Sequence, residues 1–160
     1  MITFETSQGR FNYRVAVVAI VDGHVLLHQA AGDDFWTLPG GRPEAMESAS
    51  DALCREMLEE SALAVSVSRL LWIVENFFVY GGKQFHELLF CFEMTVPDSM
   101  DLQAEFRGTE GFRDTEGTTE LTFKWYSLDR LHTVRIEPAF LREALRNLPS
   151  SIAHMIQRST

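Results

Sequence analysis

The sequence predicts an α/β domain in which strands outnumber helices, and three observations carry that expectation. A β-branched apolar run, Phe11 to Val21, stops at Asp22-Gly23 and resumes as His24 to Ala30, which reads as a hairpin rather than the start of a βαβ repeat. A second pair of strand-like segments flanks Gly81-Gly82. Between the two pairs lies one stretch with helical periodicity, ending near Ser61. With 160 residues, the chain is long enough for a single domain, residues 1–160, and short for two.

Phe11 to Val21 is apolar enough for a strand buried on both faces. After the polar Ala31-Gly32-Asp33-Asp34 loop, the short apolar Phe35 to Leu38 delivers the chain to Pro39-Gly40-Gly41, where two glycines allow a ligand close to the backbone. The helix is expected to begin near Glu47 or Ser48. From Ala64 the pattern turns β-like and runs to Tyr80, and Phe85 to Val96 forms the return strand, ending at Pro97-Asp98-Ser99. Arg107 to Thr119, polar and glycine-rich with a single aromatic residue, Phe112, reads as a mobile loop. Leu121 to Ser127 is the last expected strand, Leu128 to Leu131 a turn, and Pro138 to Leu148 an amphipathic helix with proline in its first turn. For Ser150 to Arg158 another helix is expected.

The middle helix carries an anomaly. At about 100° per residue, Glu56, Glu59 and Glu60 fall on the side that also carries Ala49, Ala52, Leu53 and Leu63, so the apolar stripe is interrupted by three carboxylates. Acids near a helix C-terminus also oppose the macrodipole. Both costs disappear if a hard divalent cation binds them, since such ions take oxygen ligands.

Composition narrows the function classes. A net charge of −9, with no lysine or arginine cluster, argues against a grip on a nucleic acid polymer, while a small anionic ligand held by a metal and a few arginines stays open. The longest aliphatic run is too short to cross a membrane, and Met1 to Glu5 has neither a basic start nor an apolar core, which predicts a cytoplasmic protein. Cys54 and Cys91 have no metal-site or redox spacing and are expected to be reduced.

Gly41, five residues, Glu47, seven residues, Arg55-Glu56-Met57, one residue, Glu59-Glu60, one residue, Ala62-Leu63 resembles the Nudix box, GX5EX7REUXEEXGU, at eight of nine defined positions. Ala62 replaces the usual glycine. The lead-in Trp36 to Gly41 is similar to the family's approach, and beyond Phe11 to Leu63 the likeness rests on strand order and occasional residues. The resemblance implies a Nudix-like α/β/α sandwich, a mixed sheet between helices. It also implies hydrolysis of a pyrophosphate bond in a small nucleoside diphosphate derivative with Mg²⁺ or Mn²⁺. It would make Glu56, Glu59, Glu60 and the Gly40 carbonyl metal ligands and Arg55 and Glu47 their supports, with Glu56 also a candidate general base. At Ala62 the helix would either accept a left-handed alanine or run on, and a shifted helix end is expected. The rival reading is a non-catalytic nucleotide-binding or sensor module with the same fold.

Outside the box, Glu120, and with less support Glu116, is the expected further acid at the metal. Glu75, Asn76, His86 and Glu87 lie on the two arms of the Gly81-Gly82 hairpin and could face each other near a pocket, with His86 of the residue type used for proton transfer. The expected substrate-binding residues are Gly41, Glu75, His86, Glu87 and Phe112, the last as a stacking group. Arg10, Arg14 and Lys83 are further candidates for a phosphate. The expected partner is a small nucleotide, with a homodimer compatible with the sequence.

Overall fold

The computed structural model describes residues 1–97, 101–111 and 118–159. The strands are β1 (Thr3–Thr6), β2 (Gly9–Val18), β3 (Ile20–Val21), β4 (His24–Ala30) and β5 (Gly40–Gly41), followed by helix α1 (Ala49–Ser61). Then come β6 (Ser66–Tyr80), β7 (Lys83–Thr95), β8 (Glu105–Gly111), β9 (Thr118–Ser127), the 3₁₀ helix η1 (Leu128–Thr133), α2 (Leu141–Ala144) and β10 (Ala153–Arg158). No helix among the described residues is long and apolar enough to cross a membrane.

The strands form two sheets. One runs β1-β2-β7-β6-β10 with β5 paired to β2, and it is mixed, since β2–β7 and β6–β10 are parallel and the other pairs antiparallel. The other is antiparallel, β3-β4-β9-β8. The opening apolar run serves both, because the chain leaves β2 at Ala19 and pairs as β3 with β4 across the Asp22-Gly23 turn. Both turn residues have positive φ, 46° and 70°, the backbone that a tight hairpin needs.

Helix α1 covers one side. Its Ala52, Leu53 and Met57 pack with Val15 and Val17 of β2, Leu26 of β4 and Phe123 of β9. The other side is closed by η1 and α2, whose Leu131 and Leu141 pack with Ala16, Val18, Leu27, Val74 and Cys91. Alternation along β2 and β4 therefore feeds two cores. Cys54 and Cys91 are free thiols.

Three expectations are corrected. Much of Arg107 to Thr119 is strand, β8 and β9, because Glu105 to Gly111 pairs with Thr118 to Lys124; residues 112–117 lie outside the described residues. The Pro138 to Leu148 helix is one turn of α-helix, Leu141–Ala144. The tail is strand β10 rather than helix, since its alternating pattern places Ala153, Met155 and Gln157 half-buried and their neighbours outward, a period of two.

Candidate active site

The Nudix-like segment is held at both ends. Ser48 caps α1, its Oγ accepting from the Asp51 N–H at 3.2 Å. At the other end Ala62 is left-handed, φ 57°, and donates its N–H to the Leu58 carbonyl. The helix thus stops where a glycine would stop it, so the expected shift of its end does not occur. Upstream, Gly40 and Gly41 pair with Ala16 and Val15, and a Cβ on Gly40, whose φ is 153°, would meet the Val15 carbonyl oxygen at 2.0 Å.

Arg55 is the centre of the helix's polar side. Its Nε and Nη2 donate to the two carboxylate oxygens of Glu47 at 2.8 and 2.9 Å, a bidentate pair, and its Nη1 donates to Glu56 Oε1 at 2.7 Å and Glu59 Oε2 at 3.3 Å. Glu47 also accepts the Glu44 N–H at 2.8 Å, which ties the loop to the helix. The hydrogen bond to Glu47 is the largest cause holding the Arg55 guanidinium firmly protonated, with Glu56 adding to it. Glu56 lies against Gly41, where a Cβ would come within 2.2 Å of its carboxyl carbon. Only glycine leaves room for that carboxylate beside the backbone.

The carboxylate stripe is partly redrawn. Glu60 is buried at 4% exposure, Glu56 half-buried, and Glu59 exposed at the edge of the stripe. Among the described residues no three His, Cys, Asp or Glu side chains converge on a common metal position. The donor chemistry nevertheless fits a hard divalent ion: Glu56 and Glu59 already share one cationic nitrogen of Arg55, and both Glu56 carboxylate oxygens lie against Gly41.

A cavity of about 460 Å³ opens on the face of β2 that carries Asn12, Arg14 and Ala16, opposite the face covered by α1, and Leu38 and Arg42, which flank the glycine pair, line it. Its floor includes a polar row that crosses the mixed sheet. Thr3, Asn12, Glu87, Asn76 and Gln157 are successive cross-strand partners on β1, β2, β7, β6 and β10. Asn12, Glu87 and Asn76 are buried and line the cavity. Arg14 and His28 lie in the wall, and His28 is pushed down to about 3 by burial first and the Arg14 charge second. Cys91, four residues beyond Glu87 on the same face of β7, is pushed up, chiefly by burial and then by Glu87.

The adjacent row points the other way. Phe4, Phe11, His86, Phe77 and Arg158 are again successive partners, stacked Phe4 on Phe11 at 5.1 Å, His86 on Phe77 at 4.5 Å, with Arg158 over Phe77 at 4.2 Å. Glu75 shares this outer face and binds His154 Nε2 at 2.8 Å. The hairpin expectation thus splits: Glu87 and Asn76 reach the cavity, whereas Glu75 and His86 do not, because side chains alternate along a strand. Gly41 faces Glu56 rather than the cavity.

Glu120 is not brought to the helix acids. Gly108 of β8 seats the Glu60 backbone, its Cβ position lying 1.8 Å from the Glu60 oxygen, and Phe106 stacks on Phe123, so Glu120 projects from the opposite face, where it pairs with Arg107. Phe112 and Glu116 lie outside the described residues. Arg10 lines the cavity but is paired with Glu5, Lys83 is exposed near Glu5, and Phe78 stacks on Phe85 at the cavity. Sequence reading missed Asn12, His28, Arg42 and Arg135 as lining residues. Asn12, a lone amide in an apolar strand, was the readable signal.

A family model of the NUDIX domain matches residues 10–148. No curated protein matches the chain by sequence. Among solved structures the chain is similar to a NUDIX hydrolase from Nitrosomonas europaea, with TM-score 0.61 and 16% identity over 97% of this chain and 82% of that one. It is also similar to an ADP-ribose pyrophosphatase from Streptococcus suis, with TM-score 0.53 and 17% identity over 91% and 98%. A UDP-X diphosphatase matches with TM-score 0.57 and 20% identity over 90% of this chain, which spans 66% of that protein's length. These likenesses are of fold, and the family match covers most of the sequence. The chain belongs to the NUDIX domain family, the Nudix-type hydrolases.

Proposed function

We propose that the protein hydrolyses a pyrophosphate bond in a small nucleoside diphosphate derivative, using a divalent metal ion. The observation that carries this reading is the Arg55 network, which gathers Glu47, Glu56 and Glu59 on one guanidinium beside the glycine segment that borders the cavity. Two of the fold's likenesses are to proteins named as a diphosphatase and a pyrophosphatase, which supports the same chemistry.

Glu56, Glu59, Glu60 and the Gly40 carbonyl would hold Mg²⁺ or Mn²⁺. Such an ion supplies charge neutralisation at phosphoryl oxygens and a more acidic water. Glu47 fixes the Arg55 plane through two parallel bonds, and Arg55 in turn fixes the Glu56 rotamer with its free oxygen toward the Gly41 notch. That oxygen is our candidate to take a proton from the attacking water. Arg14, in the cavity wall and without a carboxylate partner among the described residues, is placed to bind a phosphate oxygen.

Glu60→Gln removes one negative oxygen ligand while keeping shape. It should lower phosphate release from a nucleotide panel by orders of magnitude with an unchanged circular dichroism spectrum. Undiminished release by that variant would refute the proposal. A wild-type protein that binds nucleotide yet yields no product would be the sensor instead.

A further inference from the structure

We infer that Glu87 and Asn76 form a reading edge for a guanine-type base, one that presents two adjacent N–H donors; this rests on the nucleotide-hydrolase reading and deepens it. Glu87 and Asn76 are direct partners across β7 and β6, each only 6% exposed, on the floor of the cavity. Their mutual contact is poor. Asn76 Nδ2 lies 3.4 Å from Glu87 Oε1, and this is the only side-chain hydrogen bond of Glu87 among the described residues. Asn76 Oδ1 is buried and has no hydrogen-bond partner there.

A buried carboxylate and a buried amide oxygen left in that state are costly in an empty protein, and the cost is recovered when a ligand donates to them. The acceptor set is specific. Two carboxylate oxygens match two parallel donors, as a guanidinium matches a carboxylate, and guanine offers such a pair in its N1–H and 2-amino group. The second hydrogen of that amino group can go to Asn76 Oδ1. Adenine and cytosine each set one amino donor beside a ring-nitrogen acceptor, whose lone pair would face the carboxylate, and uracil sets its N–H between two carbonyls. The site therefore rejects them by repulsion as well as by a missing bond.

A ribose 2′,3′-diol also offers two neighbouring donors. The surroundings favour the flat ring: two residues along each strand, Phe78 and Phe85 stack with centroids 5.0 Å apart and line the same cavity. Such a shelf suits the face of a base.

The test is calorimetric binding of GDP, IDP and 2′-deoxy-GDP to the wild-type protein, without turnover. IDP differs from GDP only by the 2-amino group. GDP should bind about tenfold tighter than IDP, with 2′-deoxy-GDP within about twofold of GDP, the size expected for one hydrogen bond to a buried charge. Glu87→Gln, which swaps an acceptor for a donor, should bring the GDP to IDP ratio to about one. Equal affinities for GDP and IDP, no GDP binding at millimolar concentration, or loss of affinity on removing the 2′-hydroxyl alone would overturn the inference. If Glu87→Gln does not fold, the wild-type comparison decides. Selective binding without phosphate release would refute the hydrolase reading and leave this one standing, whereas turnover without GDP preference would do the reverse.

Discussion

The acids of α1 and the acid on the sheet floor are held in opposite ways. Glu47, just ahead of α1, and Glu56 on it accept short bonds of 2.7–2.9 Å from one guanidinium. Among the described residues Glu87 makes a single side-chain hydrogen bond, a long one at 3.4 Å, and it lines an open cavity. A network that satisfies itself fixes geometry, which is what bond cleavage requires. A row left with spare acceptors leaves its final partner to the ligand, which is what selection requires.

The largest expected effect comes from breaking the self-satisfied side. Arg55→Ala removes the centre of the network and leaves Glu47 and Glu56 facing each other. It should lower stability by about 2–3 kcal/mol, read by urea unfolding, and cut turnover at least as severely as Glu60→Gln. Stability within a few tenths of a kcal/mol of wild type would show that the network does not hold the loop. Next comes the cavity side, through pH. The folded pKa of His28 is depressed to about 3 while the unfolded chain keeps an ordinary histidine, so the unfolded state binds the extra proton. Its contribution is therefore complete above about pH 6.5 and is lost as pH falls, at up to about 1.4 kcal/mol per unit. Unfolding at about pH 7 and about pH 5 should differ by roughly 2 kcal/mol more in wild type than in His28→Gln. Equal slopes would mean that His28 is open to solvent. The smallest effect sharpens the helix end. Ala62→Gly should stabilise by about 1 kcal/mol, seen as a Tm rise of a few degrees with turnover unchanged, because glycine meets no penalty at φ 57°. A drop in Tm would contradict the left-handed cap.

What could be read from the chain follows the same division. The helix, its Ser48 cap and the Arg55–Glu47 relation are encoded within a few turns of sequence, where spacing fixes angle. The two hairpins were readable because Asp22-Gly23 and Gly81-Gly82 announce them. On the cavity floor the Asn76–Glu87 pairing was legible from the same hairpin, but Asn12 was not joined to it, because it meets Glu87 only through the parallel β2–β7 ladder, and long-range pairing leaves no local trace. The tail failed for another reason: its six-residue alternating pattern gains a partner only in β6, far away in sequence. Chain position brings Glu120 close to the last strand, and position says nothing of which strand face a side chain takes.

Polar and aromatic rows on neighbouring positions of β6 and β7 make recognition a matter of counting residues in the hairpin turn. Tyr80 pairs with Lys83 across two glycines, both with positive φ. One residue inserted or removed there would slip the pairing by a step and turn one arm over: Phe77 or His86 would take the place of Asn76 or Glu87 over the cavity, and the displaced polar group would go out to solvent. The length of that loop would thus decide whether the cavity floor is hydrogen-bonding or aromatic, and short insertions in that turn are a direct route by which a Nudix fold can change what it binds without altering α1.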